Sequence, residues 1–93
     1  MNEEAERPSE RPGAVSGQAT LELDCRGMRC PRPVIELAQH IEDVAVGEVI
    51  GVASTDTAAR ADVPAWCRMR GHEYVGEDAA DDGTPLYLVR RLA

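Results

Sequence analysis

The chain has 93 residues and a formal net charge of −7, and it contains no lysine, so all ten of its cations are arginines. That length allows a single core and excludes a second independent one. The negative charge argues against a general nucleic-acid or anionic-membrane surface, which leaves proteins or small molecules as the expected partners. Three cysteines are an odd number, and the first residues are acidic with no apolar run behind them. The reading is free thiols in a reducing cytoplasm, without a secretory signal. The longest mainly apolar runs, such as Val49 to Ala53, are far too short to span a bilayer.

Residues 1–18 carry Glu3, Glu4, Glu6 and Glu10 among Pro8, Pro12, Gly13 and Gly17, with almost nothing to bury. A disordered acidic tail is expected there, followed by one domain over 19–93. From Thr20, Leu21 and Leu23 alternate with Glu22 and Asp24, the period of a half-buried strand. Val34, Leu37, Ala38 and Ile41 then fall on one helical face, so a first helix is predicted from Cys30 to about Asp43. Pro31 or Pro33 suits its first position. After Gly47, the segment from Glu48 to Ala53 is almost continuously apolar, as a central strand with two neighbours should be.

Thr55 and Asp56 are suitable caps for a second helix, which Ala58, Ala59 and Ala61 favour. Pro64 leaves two possibilities: a short turn at 57–61 followed by a helix capped by Asp62, or one helix bent at the proline. Gly71 is expected to close it as a left-handed cap. Glu73 to Val75 and Pro85 to Val89 read as two strands joined by an acidic, flexible stretch from Glu77 to Gly83. The order βαβαββ predicts an α+β fold, a two-layer α/β sandwich. A right-handed parallel crossover and a terminal hairpin give a mixed four-stranded sheet with both helices on one face.

Cys30 sits immediately before a helix start, where unpaired N–H groups and the helix dipole favour an anion. Pro31 and Pro33 remove two donors from the first turn, leaving the N–H groups of Arg32 and Val34 best placed to face the sulfur. Arg26, Arg29 and Arg32 form a basic island around it on an otherwise acidic chain. This combination favours a reactive thiolate. The plainer alternative is that the arginines only solvate a loop and Cys30 is an inert small apolar residue.

The stretch Leu23-Asp24-Cys25-Arg26-Gly27-Met28-Arg29-Cys30-Pro31-Arg32-Pro33-Val34 resembles the signature of TusA/SirA-like proteins. Val46-Gly47-Glu48, Asp62-Val63-Pro64-Ala65-Trp66-Cys67 and Gly71-His72-Glu73 are also similar to that family, so the likeness covers about residues 20 to 92. It implies a βαβαββ sandwich and a sulfurtransferase role in which Cys30 holds a persulfide, with Asp24, Gly27, Pro31, Arg32 and Pro33 in support. The implied partners are a donor protein, such as a cysteine desulfurase or a rhodanese-like protein, and an acceptor protein. Members of the family deliver sulfur for tRNA thiolation, molybdenum-cofactor biosynthesis or sulfur oxidation. No cofactor is implied. Two positions depart from the family's tRNA-thiolation carriers: Cys25 stands where many have another residue, and Arg32 stands where an acid is common.

Cys25 reads either as a resolving thiol or as a small residue ending a strand. Cys67, next to Trp66 on the second helix, reads as a core cysteine. Cys25, Cys30, Cys67 and His72 lack the short Cys-x-x-Cys spacing of a zinc knuckle, so no metal is assigned. His40 and His72 read as surface or strand-end residues. Asp24 either orients the following loop through its backbone N–H groups or forms a plain turn. Two other functions compete with sulfur transfer: a regulatory interaction module in which Cys30 is only a redox-sensitive switch, and RNA binding. The second conflicts with the charge and with an aromatic content of 3%.

Overall fold

A computed structural model describes residues 19–93, so the expected N-terminal tail lies outside the described residues. Strand β1 spans Leu21–Cys25, helix α1 Arg32–His40 with a 3₁₀ turn at Ile41–Asp43, and strand β2 Val49–Ser54. Helix α2 spans Ala59–Arg70, strand β3 Glu73–Ala79 and strand β4 Pro85–Arg90. The sheet order is β1-β2-β4-β3, with β1 parallel to β2 and the other two pairs antiparallel. This is the predicted α+β architecture. Every residue of β2 is buried, because the strand has a neighbour on each side.

Alternation in the strands divides the apolar residues between two faces. Ile50 and Val52 of β2, with Tyr87 and Val89 of β4, join Leu37 and Ile41 from the first helical segment and Val63, Trp66 and Cys67 from α2 in the main core. Val49, Ala53, Leu86 and Leu88 form a smaller cluster on the opposite face, with Ala19 and Val75 packed against it.

Two expectations are adjusted and one open alternative is decided. The first helix starts at Arg32 rather than at Cys30, and its last residues tighten into the 3₁₀ turn. Of the two possibilities at Pro64, the structure takes the single helix: α2 is one element that contains the proline, with no helix start at Asp62. Its first bonds are tight: Ala59 and Arg60 donate to the carbonyls of Asp56 and Thr57, at 3.0 and 3.1 Å, and Ala61 and Asp62 both donate to Ala58. A proline in the second turn then deprives only the carbonyl of exposed Arg60 of a helical donor.

Strand β3 runs through Ala79, well into the stretch expected to be flexible. It is an edge strand, so Glu77 can face solvent while its backbone pairs with β4, and Arg60 holds that carboxylate through two bonds of 2.9 Å. A register shift between Tyr74 and Gly76 absorbs the extra residue. Gly71 closes α2 in the left-handed conformation, as expected, its N–H 2.9 Å from the carbonyl of Cys67.

Candidate functional site

Parallel pairing places the site. Cys25 at the end of β1 is in register with Ser54 at the end of β2, so both chains leave the sheet at one edge and the loops that follow them run side by side. The first loop turns sharply: Met28 donates to the carbonyl of Cys25 at 3.1 Å, and Gly27 takes a φ of 81° that favours glycine. Two bonds stitch it to the second loop. Gly27 N–H reaches Thr55 Oγ1 at 3.0 Å, and Cys30 N–H reaches Asp56 Oδ2 at 2.8 Å. The other Asp56 oxygen accepts from Ala58 N–H at 2.9 Å, which ties the cysteine's backbone to the start of α2. Asp24 accepts the Arg26 backbone N–H at 3.2 Å, a local turn bond that both readings of this residue allow.

Cys30 is half-buried at the foot of α1, packed against the main core, with Pro31 exposed and Pro33 buried beside it. The surrounding charge is the reverse of the sequence expectation. Burial, a hydrogen bond to the Asp62 carboxylate and the charges of Asp62, Asp56 and Cys25 push the Cys30 thiol up to about 11. The basic island is spent elsewhere. Arg26 reaches away to Asp82, at 3.1 and 3.2 Å, and to Asp24 at 3.0 Å. Arg32 pairs with Glu36 at 3.3 Å, while the Asp56 carboxyl is held below its usual range chiefly by the N–H groups of Ala58 and Cys30, with a smaller contribution from the Arg29 charge. One of the two expected first-turn donors is also committed, since Arg32 N–H bonds to the Arg29 carbonyl at 2.8 Å. The resting group is therefore a thiol.

The other two cysteines are closed to solvent. Cys25 and Cys67 are each 1% exposed in the main core, and burial pushes the Cys67 thiol up to about 11 and raises that of Cys25 as well. The expected core role of Cys67 holds. His72 stacks on Trp66 at 5.3 Å and accepts the Leu92 N–H at 3.1 Å, while His40 pairs with Asp43 at 2.7 Å. No group of three or more His, Cys, Asp or Glu side chains that could hold a metal occurs among the described residues, and none of their helices is long and apolar enough to cross a membrane.

Two cavities flank the cysteine. One of about 380 Å³ is polar, lined by Gly27, Met28, Arg29, Thr55, Asp56 and Thr57. The other, about 250 Å³, lies between the helices and is lined by Pro31, Val34, Asp62, Ala65, Trp66 and Met69. Sequence reasoning used Asp56 and Asp62 only as helix caps and missed both as neighbours of the sulfur. The available signal was the parallel crossover, which brings the loop after β2 beside the loop after β1.

Similarity to known proteins runs through the same region. The family model described as "Sulfurtransferase TusA" matches residues 21–91. The sulfur carrier protein TusA of Pseudomonas entomophila is 41% identical over 71 residues, covering 76% of this chain and 88% of that protein. Its namesake in Pseudomonas syringae pv. syringae is 43% identical over 70 residues, covering 75% and 82%. The crystal structure of the SirA-like protein from Desulfitobacterium hafniense superposes with a TM-score of 0.65 at 19% identity, over 78% of this chain and 99% of that one, a likeness of fold. With a family model spanning its whole described sheet and both helices, and relatives above 40% identity over most of their length, the chain belongs to the TusA sulfurtransferase family.

Proposed function

We propose that this protein carries sulfur as a persulfide on Cys30, taking it from a donor protein such as a cysteine desulfurase or a rhodanese-like protein and passing it to an acceptor protein in the reducing cytoplasm. The observation that carries the reading is the contrast among the three cysteines. Cys30 alone is open to solvent, on a stitched loop between two cavities, while Cys25 and Cys67 are sealed in the core. Membership in a family whose relatives are named sulfur carriers favours transfer over a thiol that serves only as a redox switch.

In the exchange the Cys30 thiol loses its proton and its sulfur attacks the outer sulfur of the donor's persulfide. A bond forms between Cys30 Sγ and that atom as the donor's S–S bond breaks, and the donor's thiolate leaves and takes up a proton. Oxidation states are conserved, so no external electron acceptor enters. Intact-mass measurement after incubation with a desulfurase and cysteine tests the proposal. The expected result is one added sulfur on the wild type and none on Cys30→Ser with the fold retained. Loading of Cys30→Ser at the wild-type level overturns it.

A further inference from the structure

The cavity between α1 and α2 opens beside Pro31, the residue after the reactive cysteine. Pro31, Val34, Ala65, Trp66 and Met69 give it apolar walls, with Met69 74% exposed, and Asp62 is its one ionisable lining residue. Asp62 is half-buried and has no ion-pair partner among the described residues, although seven other such pairs are formed there. An acid in the first turn of a helix is ordinary. That preference does not account for a carboxylate that lines an apolar groove and makes the neighbouring Cys30 thiol harder to ionise.

Resting on the reading of Cys30 as the sulfur-bearing thiol, we propose that Asp62 determines which sulfur partners Cys30 accepts, its unpaired carboxylate selecting a partner that seats a lysine or arginine in the groove. The chemistry of the groove fits such a side chain at both ends. An aliphatic stem lies against Trp66 and Met69 while the charged head meets Asp62, and the apolar walls strengthen the pairing by thinning the water around it. An anionic partner meets repulsion at the same point.

The pairing also acts on the sulfur. Asp62 from α2, Asp56 from the loop after β2 and Cys25 from β1 all raise the thiol's pKa, and Tyr87 of β4 interacts with the charge of the cysteine as well. From its own loop, the Arg29 charge acts on Asp56. A cation on Asp62 offsets the largest of these charges, so the thiol ionises in the docked complex and stays protonated outside it. A carrier built this way keeps its nucleophile quiet between encounters.

Two methanethiosulfonate reagents of similar size test the idea without a partner protein, one ending in a trimethylammonium group and the other in a sulfonate. Each transfers its thioalkyl group to a thiolate, forming a mixed disulfide and releasing methanesulfinate. Rates at Cys30 are followed by mass spectrometry and divided by the rates of the same reagents with 2-mercaptoethanol. The wild type is expected to favour the cationic reagent by about tenfold, and Asp62→Asn to cut that preference by about threefold or more. The pH midpoint of iodoacetamide alkylation should fall in the same variant, whereas loss of a merely structural residue would not raise reactivity and erase charge preference together. Thermal melting checks the fold, and Asp62→Ser, which keeps a helix-compatible polar side chain, carries the same comparison if the asparagine variant fails to fold. An unchanged preference, or an unchanged or higher midpoint, overturns the proposal. If the wild type shows the preference but takes no sulfur from a desulfurase, the carrier reading falls and the charge selection stands; loading without the preference removes only the role of Asp62.

Discussion

Replacing Cys67 with serine separates packing from chemistry at the cysteines. The residue is 1% exposed on α2, in the main core with Val63, Trp66 and Tyr87, and burial pushes its thiol up to about 11. Serine places a hydroxyl there, and a buried hydroxyl without a partner costs about 1–3 kcal/mol. Inside a helix it can share the carbonyl four residues back, here that of Val63, which favours the lower part of that range, about 1–2 kcal/mol. For a domain of this size each kcal/mol lowers Tm by about 4–8 °C, so the variant should melt about 5–15 °C below the wild type. Cys67→Ala loses one sulfur's worth of packing, about 1 kcal/mol, without adding a polar atom. The expected order of stability is therefore cysteine, then alanine, then serine. Circular dichroism melts give that order, and intact mass shows whether both variants still load sulfur on Cys30. A serine variant as stable as the wild type, or one that is stable but unloaded, refutes the reasoning.

Because the folded Cys30 and Cys67 thiols both titrate near 11, above their ordinary value of 9.0, the folded state keeps protons that the unfolded chain releases between pH 9 and 11. That stabilisation is complete below pH 9 and should be lost as the pH rises to 11, seen as a falling urea midpoint that flattens in Cys67→Ala. In the same window the alkylation rate of Cys30 should still be climbing, and a plateau reached below pH 9 would contradict the anionic surroundings described for it. Cys25, at 1% exposure, should resist iodoacetamide in the native protein, and Cys25→Ala should leave the lifetime of the loaded persulfide unchanged; a longer lifetime would restore a resolving role to it. Gly27→Ala meets no atom within 4 Å of its new Cβ, so its cost is the backbone conformation alone, about 1–2 kcal/mol, measurable by thermal melting.

Local signals in the chain were enough for the elements and their order. The alternation at Leu21 to Asp24, the helical spacing of Val34, Leu37, Ala38 and Ile41, and the apolar run of β2 each have one natural partner geometry. Together with the handedness of the crossover they lead to the sheet and its two helices. The position of Cys30 before a helix and the burial of Cys67 were legible for the same reason. What only the tertiary structure decided was where the charges point. Arg26 and Arg32 are neighbours of the sulfur along the chain, yet their side chains are long enough to be drawn off by Asp82 and Glu36. Asp56 and Asp62, more than 25 residues away in sequence, arrive at the thiol because β1 and β2 pair in parallel and end together. Electrostatic work falls off with distance in space, and spacing along the chain does not report that distance across a crossover.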